Sequence, residues 1–113
     1  MNVQDRLNAI ENGWKPQVFK TVLEDGTIEF RNTNAQLHND ADLPAVIKKD
    51  GSKIWYKNGK KHRDNDLPAL IWFNGIQLWY QNGQLYRDND MPAVIYSNGE
   101  KEYWEKGFII KYN

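Results

Sequence analysis

The chain of 113 residues contains no cysteine, and this single absence removes three chemistries at once. Disulfides, thiolate metal sites and a cysteine nucleophile are all excluded. Histidine is nearly as scarce, with only His38 and His62, so few candidates remain for general base or imidazole ligand. No apolar run approaches the ~18 residues of a membrane span. The formal net charge is zero, so no global field steers the protein toward nucleic acid or anionic lipid. The first residues, MNVQDRLNAIENGW, carry acids and lack the apolar stretch of a signal peptide, and the expected location is cytoplasmic. The length fits one domain.

What is abundant is aromatic: 13% of residues, including five Trp and six Tyr. They recur at a fixed interval. WYKNGKKHRDND, from Trp55 to Asp66, returns as WYQNGQLYRDND from Trp79 to Asp90. Pro44, Pro68 and Pro92 share the 24-residue spacing, as do Gly51, Gly75 and Gly99, and again Gly59, Gly83 and Gly107. A fixed period of this size is the sign of a repeat architecture. Units are read at 43–66, 67–90 and 91–113, with a degenerate unit at 17–42. Residues 1–16 are expected to form an amino-terminal helix and linker, because Val3, Leu7, Ile10 and Trp14 fall on one helical face, with a cap at Asn2 and Gly13 able to end a helix over residues 3–12.

Each unit carries two turn signals. Asp50-Gly51, Asn58-Gly59, Asn74-Gly75, Asn82-Gly83, Asn98-Gly99 and Lys106-Gly107 separate short apolar runs, and all but the last are Asp-Gly or Asn-Gly pairs, which favour hairpins. The predicted fold is all-β: tandem 24-residue, three-stranded antiparallel meanders with a short N-terminal helix. Two-residue turns throughout would pair Ile47 with Ile54 and Val46 with Trp55, then Trp55 with His62 and Tyr56 with Lys61. One face would carry Val46, Trp55 and His62, and the other Ile47, Ile54 and Tyr56. Both faces would be partly apolar, as in a sheet covered on two sides or curled on itself.

The W-Y-x-N-G pattern at Trp55–Gly59 and Trp79–Gly83 resembles MORN-type hairpin repeats. Its extended form, W-Y-x-N-G-x-x-H-R-x-x-D-L-P-A, is similar to repeats in bacteriophage and large DNA virus proteins. The resemblance covers about 80 residues. It implies a non-catalytic β scaffold used for binding, and a viral origin would imply an accessory protein that engages and modulates a host factor. MORN repeats usually carry a second glycine where this chain has Arg63 and Arg87, so no lipid-binding expectation is carried over.

Weighed singly, the polar residues read as structural. His38 and His62 share a repeat position with Tyr86 and Ile110, substitutions that suit packing and not catalysis or metal binding. Ser52 and Ser97 sit beside turn glycines with no histidine expected near them. Asp40/Asp42, Asp64/Asp66 and Asp88/Asp90 form acidic corners. These lack the glycine and distant Glu of a calcium loop and are expected to bond local N–H groups and to pair with Arg63 or Arg87. No cofactor, no metal and no catalytic residue is expected.

Two surfaces remain as binding candidates. At the first hairpin tip the units read KKDGSK, WFNGIQ and YSNGEK; only the middle one places Trp72, Phe73 and Ile76 around its turn, with Tyr96 at the matching position in the next. Exposed apolar clusters mark binding surfaces. A protein partner at this tip is the leading reading, with the amino-terminal helix or a second copy of the chain as the other occupants. The second candidate is basic: Lys48, Lys49, Lys53, Lys57, Lys60, Lys61 and Arg63, interleaved with Trp55 and Tyr56, in a pattern suited to single-stranded nucleic acid or a nucleotide. Lysines along a sheet edge also guard against aggregation.

Overall fold

The structure, a computed structural model, describes residues 17–113, so the helix expected over residues 3–12 lies outside the described residues. Every regular element described is a strand. β1 (Val18–Val22) and β2 (Ile28–Asn32) form the first hairpin. Pairs of two-residue strands follow: β3 (Val46–Ile47) with β4 (Lys53–Ile54), β5 (Tyr56–Lys57) with β6 (Lys60–Lys61), β7 (Leu70–Ile71) with β8 (Gln77–Leu78), and β9 (Tyr80–Gln81) with β10 (Gln84–Leu85). β11 (Val94–Ile95), β12 (Lys101–Glu105) and β13 (Phe108–Tyr112) end the chain. All pairings are antiparallel, and the principal sheet has nine strands in the order β1-β2-β3-β4-β7-β8-β11-β12-β13.

The two turn families differ, and the difference sets the register. At Asn58-Gly59 both residues have positive φ, 49° and 85°, and Lys57 pairs with Lys60 across a two-residue type I′ turn, as expected. At Asp50-Gly51 the loop is one residue longer. Gly51 N–H donates to the Lys48 carbonyl and Lys48 N–H to the Ser52 carbonyl, so Lys49, Asp50 and Gly51 form a type I turn closed by a left-handed glycine. Val46 therefore pairs with Ile54 and Ile47 with Lys53. The expected pairs Ile47–Ile54 and Val46–Trp55 are wrong by one residue. Because side chains alternate, that slip exchanges the faces: Val46 and Ile54 lie together. The aspartate or asparagine before each such glycine accepts the N–H two residues on, at Thr27, Ser52, Ile76 and Glu100, which explains its presence there.

Nor does a flat three-stranded meander run through the middle of the chain. β4 stops at Ile54 and β5 starts at Tyr56, with Trp55 as the corner between them. Its N–H donates to the Ala69 carbonyl of the principal sheet, and its own carbonyl accepts the His62 N–H. Trp79 does the same with Ala93 and Tyr86. The β5–β6 and β9–β10 hairpins thus leave the principal sheet as separate two-stranded ladders. Only at the carboxyl end does the second strand run on: β12 passes Tyr103 with a bulge before Trp104 and keeps β13 in the principal sheet.

The core follows the same interval. Ala45, Ala69 and Ala93 are fully buried, and Val46, Leu70 and Val94 next to them nearly so. Ile54, Trp55 and Trp79 complete it. Burying each large apolar side chain contributes roughly 1.5–3 kcal/mol. The Cα radius of gyration is 16.9 Å, against about 13 Å for a compact domain of 100 residues, so the molecule is extended. Its dimensions, 56 × 28 × 21 Å, describe a rod with the strands stacked along it. That order puts the Asp50-Gly51, Asn74-Gly75 and Asn98-Gly99 turns in a line at one end of the strands.

Candidate functional site

The acidic corners come first because most of the charged chemistry is there. Asn65 and Asp66 have φ of 64° and 56°, Asn89 and Asp90 63° and 55°, and Ala41 and Asp42 56° and 57°. Paired left-handed residues make each corner a tight type I′ turn, closed at Asp40 by the Leu43 N–H. The first carboxylate of each corner is engaged locally: Asp40 by His38 Nε2, Asp64 by His62 Nε2 and Asp88 by the Tyr86 hydroxyl, each at 2.8 Å. His38 Nδ1 accepts the Asn58 N–H and His62 Nδ1 the Asn82 N–H, which fixes the ring proton on Nε2. Both imidazoles thus tie one hairpin to the corner before it.

The second carboxylate holds an arginine across 21 residues. Arg63 donates Nε to Asp42 Oδ1 at 2.9 Å and a terminal nitrogen to Oδ2 at 3.2 Å, while its other terminal nitrogen reaches the Pro68 carbonyl. The guanidinium lies 3.8 Å above the Trp55 ring, and Trp55 Nε1 donates to the Asp42 carbonyl. Arg87, Asp66, Pro92 and Trp79 repeat every one of these contacts. The arginine hydrogen bonds, and secondarily the arginine charge, hold the Asp42 and Asp66 carboxyls below the ordinary aspartate value. The sequence suggested that these arginines pair with a corner. That each serves the preceding corner, clamping it onto a tryptophan, was missed, although the joint recurrence of Asp, Trp and Arg at Asp42/Trp55/Arg63 and Asp66/Trp79/Arg87 was a usable signal.

Ser52 is likewise structural. It is fully buried, and its Oγ accepts the Phe73 N–H at 2.9 Å. Among the described residues no three His, Asp or Glu side chains converge in metal-binding geometry.

At the middle tip Trp72 N–H donates to the Ile76 carbonyl and Gly75 N–H to the Trp72 carbonyl, so Phe73, Asn74 and Gly75 form the loop. The four residues singled out there divide. Trp72 is half-buried and packs on the Val46–Ile54–Leu70 cluster. Phe73 projects, at 68% exposure. Continuing the β7–β8 and β8–β11 registers by one residue puts Trp72, Ile76 and Tyr96 in one cross-strand row. Tyr96 is half-buried, and its hydroxyl donates to Glu102 Oε2 at 2.6 Å, a bond that raises its pKa. The tip is thus an exposed phenyl ring above a row of partly covered apolar side chains.

The basic candidates have different surroundings. Arg63 is committed to Asp42 and Trp55, Lys57 approaches Asp64 at 4.0 Å, and Lys61 lies 5.1 Å over the Tyr80 ring. Lys49 covers the Asp25-Gly26 turn, while Lys53 and Lys60 are exposed on separate strands and Lys48 is half-buried. Comparison with known proteins finds no family model, no curated protein and no solved structure that matches this chain.

Proposed function

We propose that the protein is a non-catalytic β scaffold that binds a protein partner through the middle tip, in the manner that its MORN-like hairpin spacing implies. The observation that carries this reading is Phe73, a phenyl ring 68% exposed on a loop anchored by the Phe73 N–H to Ser52 Oγ and by the Gly75 N–H to the Trp72 carbonyl. The fold gains nothing from it, since the matching positions are Lys49 and Ser97. Trp72 and Ile76 beside it supply a pre-ordered apolar floor, and pre-ordering reduces the entropic cost of association. An aromatic anchor on a rigid base is the usual build of an interface hot spot. A viral or phage accessory protein acting on a host factor would use such a surface.

The basic strands support the second reading, nucleic-acid or nucleotide binding, less well, because Arg63 is already spent on Asp42. A photo-reactive phenylalanine analogue placed at position 73, and separately at 49 and 97, distinguishes the cases. Cross-linking of one protein species from position 73 alone is expected. Equal yields from all three positions, or cross-links to nucleic acid, would rule out the tip as the anchor.

A further inference from the structure

Three clefts run along the corners of the molecule, and the last differs from the others. The Asp42–Arg63 cleft measures about 200 Å³ and the Asp66–Arg87 cleft about 210 Å³, each with its arginine among the lining residues. The terminal cleft, between the Asn89–Met91 corner and the β12–β13 hairpin, measures about 310 Å³. Each of its ten lining residues lies 48 positions after a residue lining the Asp42–Arg63 cleft, so equivalent positions line both, although β12 runs on past Tyr103 where the chain bends at Trp55. The corner backbone is also the same, with Asp90 at φ 55° where Asp42 has 57° and Asp66 has 56°.

The contents have changed. Tyr103 stands in place of Trp55, and Lys111 in place of Arg63. Lys111 Nζ lies 5.0 Å over the Tyr103 ring and makes no ion pair with Asp90, whose carboxylate has neither hydrogen bond nor ion pair among the described residues. Glu105 replaces Lys57, exchanging a cation for an anion at the cleft wall. Tyr86, Asp90 and Glu105 all line this one cleft, and the Tyr86 hydroxyl is held above its ordinary pKa, first by its bond to Asp88 and further by the charges of Glu105 and Asp90.

We infer that this terminal cleft receives an arginine side chain from a protein partner, in the place that Arg63 and Arg87 occupy in the other two clefts. Asp90 offers the two carboxylate oxygens that Asp42 and Asp66 give to Nε and a terminal nitrogen of their arginines. The Tyr103 ring offers the stacking face, and Glu105 adds charge. A guanidinium suits this pairing better than an ammonium because its planar fork binds both oxygens while it stacks. Lys111 is exposed on an edge strand and moves aside at little cost.

The test uses the full chain and short neutral-capped peptides carrying arginine, lysine or trimethyl-lysine at one position, with backbone amide shifts of Asn89 to Met91 followed by NMR. Saturable binding of the arginine peptide at this corner is expected, with roughly tenfold or greater preference over lysine, the size of a charge-assisted bond. Asp90→Asn is expected to lose that preference. Lys111→Arg is expected to fill the cleft from within, raising the melting temperature and weakening the arginine peptide by about tenfold. Phe73→Asp should leave peptide binding unchanged, so failure here is distinguishable from failure of the tip. Equal affinity for lysine, tighter binding of trimethyl-lysine, binding retained in Asp90→Asn, or no saturable binding would each overturn the inference.

Discussion

Single residues here carry backbone geometries that their side chains normally resist. Ala41 stands at φ 56°, where the matching corners use Asn65 and Asn89. A left-handed residue with a Cβ costs roughly 1–2 kcal/mol, and asparagine tolerates it best. Ala41→Gly is therefore expected to stabilise the fold by about 0.5–1 kcal/mol, after the larger unfolded-state entropy of glycine is deducted. Chemical denaturation checks this, and a lower midpoint would show that the corner is not held in this geometry. Trp72 is a second case where position outweighs residue type. From sequence alone it reads as an exposed anchor equivalent to Lys48; packed against Val46, Ile54 and Leu70, it also belongs partly to the fold. Phe73 next to it is the exposed one.

Among elements, the corner clamps join each hairpin to its predecessor. Arg87→Gln removes the stack on Trp79 and both bonds to Asp66, and is expected to cost about 1–2 kcal/mol at neutral pH. The clamp is also acid-labile. Because Arg63 and Arg87 lower the folded-state values of Asp42 and Asp66 below the ordinary 3.8, their contribution is fully present above that pH. It is lost as pH falls below 3.8 through the folded values. The gap between the denaturation midpoints of wild type and Arg87→Gln, measured from neutral pH down to about pH 2, should narrow as Asp66 is protonated, leaving the part due to the Trp79 stack and the Pro92 bond. A gap that stays constant would mean that the Asp66–Arg87 charge pairing contributes nothing. Much of this element structure was legible in the chain. Asn58-Gly59 and Asn82-Gly83 declared their type I′ turns, since two consecutive positive-φ positions need such residues. Asp50-Gly51 looks identical yet closes a longer loop, because one left-handed glycine also suffices for a type I turn with a bulge, and the pair alone does not distinguish them. The bend at Trp55 was hidden for another reason. It depends on the Ala69 carbonyl and on Asp42, contacts 14 and 13 residues away that no local pattern encodes.

For the whole molecule, the recurrence of buried Ala45, Ala69 and Ala93 and of the two clamps is what a stack of repeated segments would require, and the expectation can be tested directly. Duplicating residues 67–90 in place is expected to give a folded protein longer by about 10 Å, two strands at roughly 4.8 Å each, by small-angle scattering. An unfolded or merely swollen product would contradict a modular stack. On such a scaffold the middle tip is the feature that stacking leaves unexplained, and binding through it is the central claim. The direct measurement is capture of the natural partner by wild type and by Phe73→Asp, with the melting temperature of each recorded alongside. Phe73 is exposed, so the variant should melt within about 0.5 kcal/mol of wild type, as surface changes do. Capture should fall by 2 kcal/mol or more, roughly thirtyfold in affinity. A Phe73→Asp protein that melts like wild type and holds its partner as tightly would contradict the account.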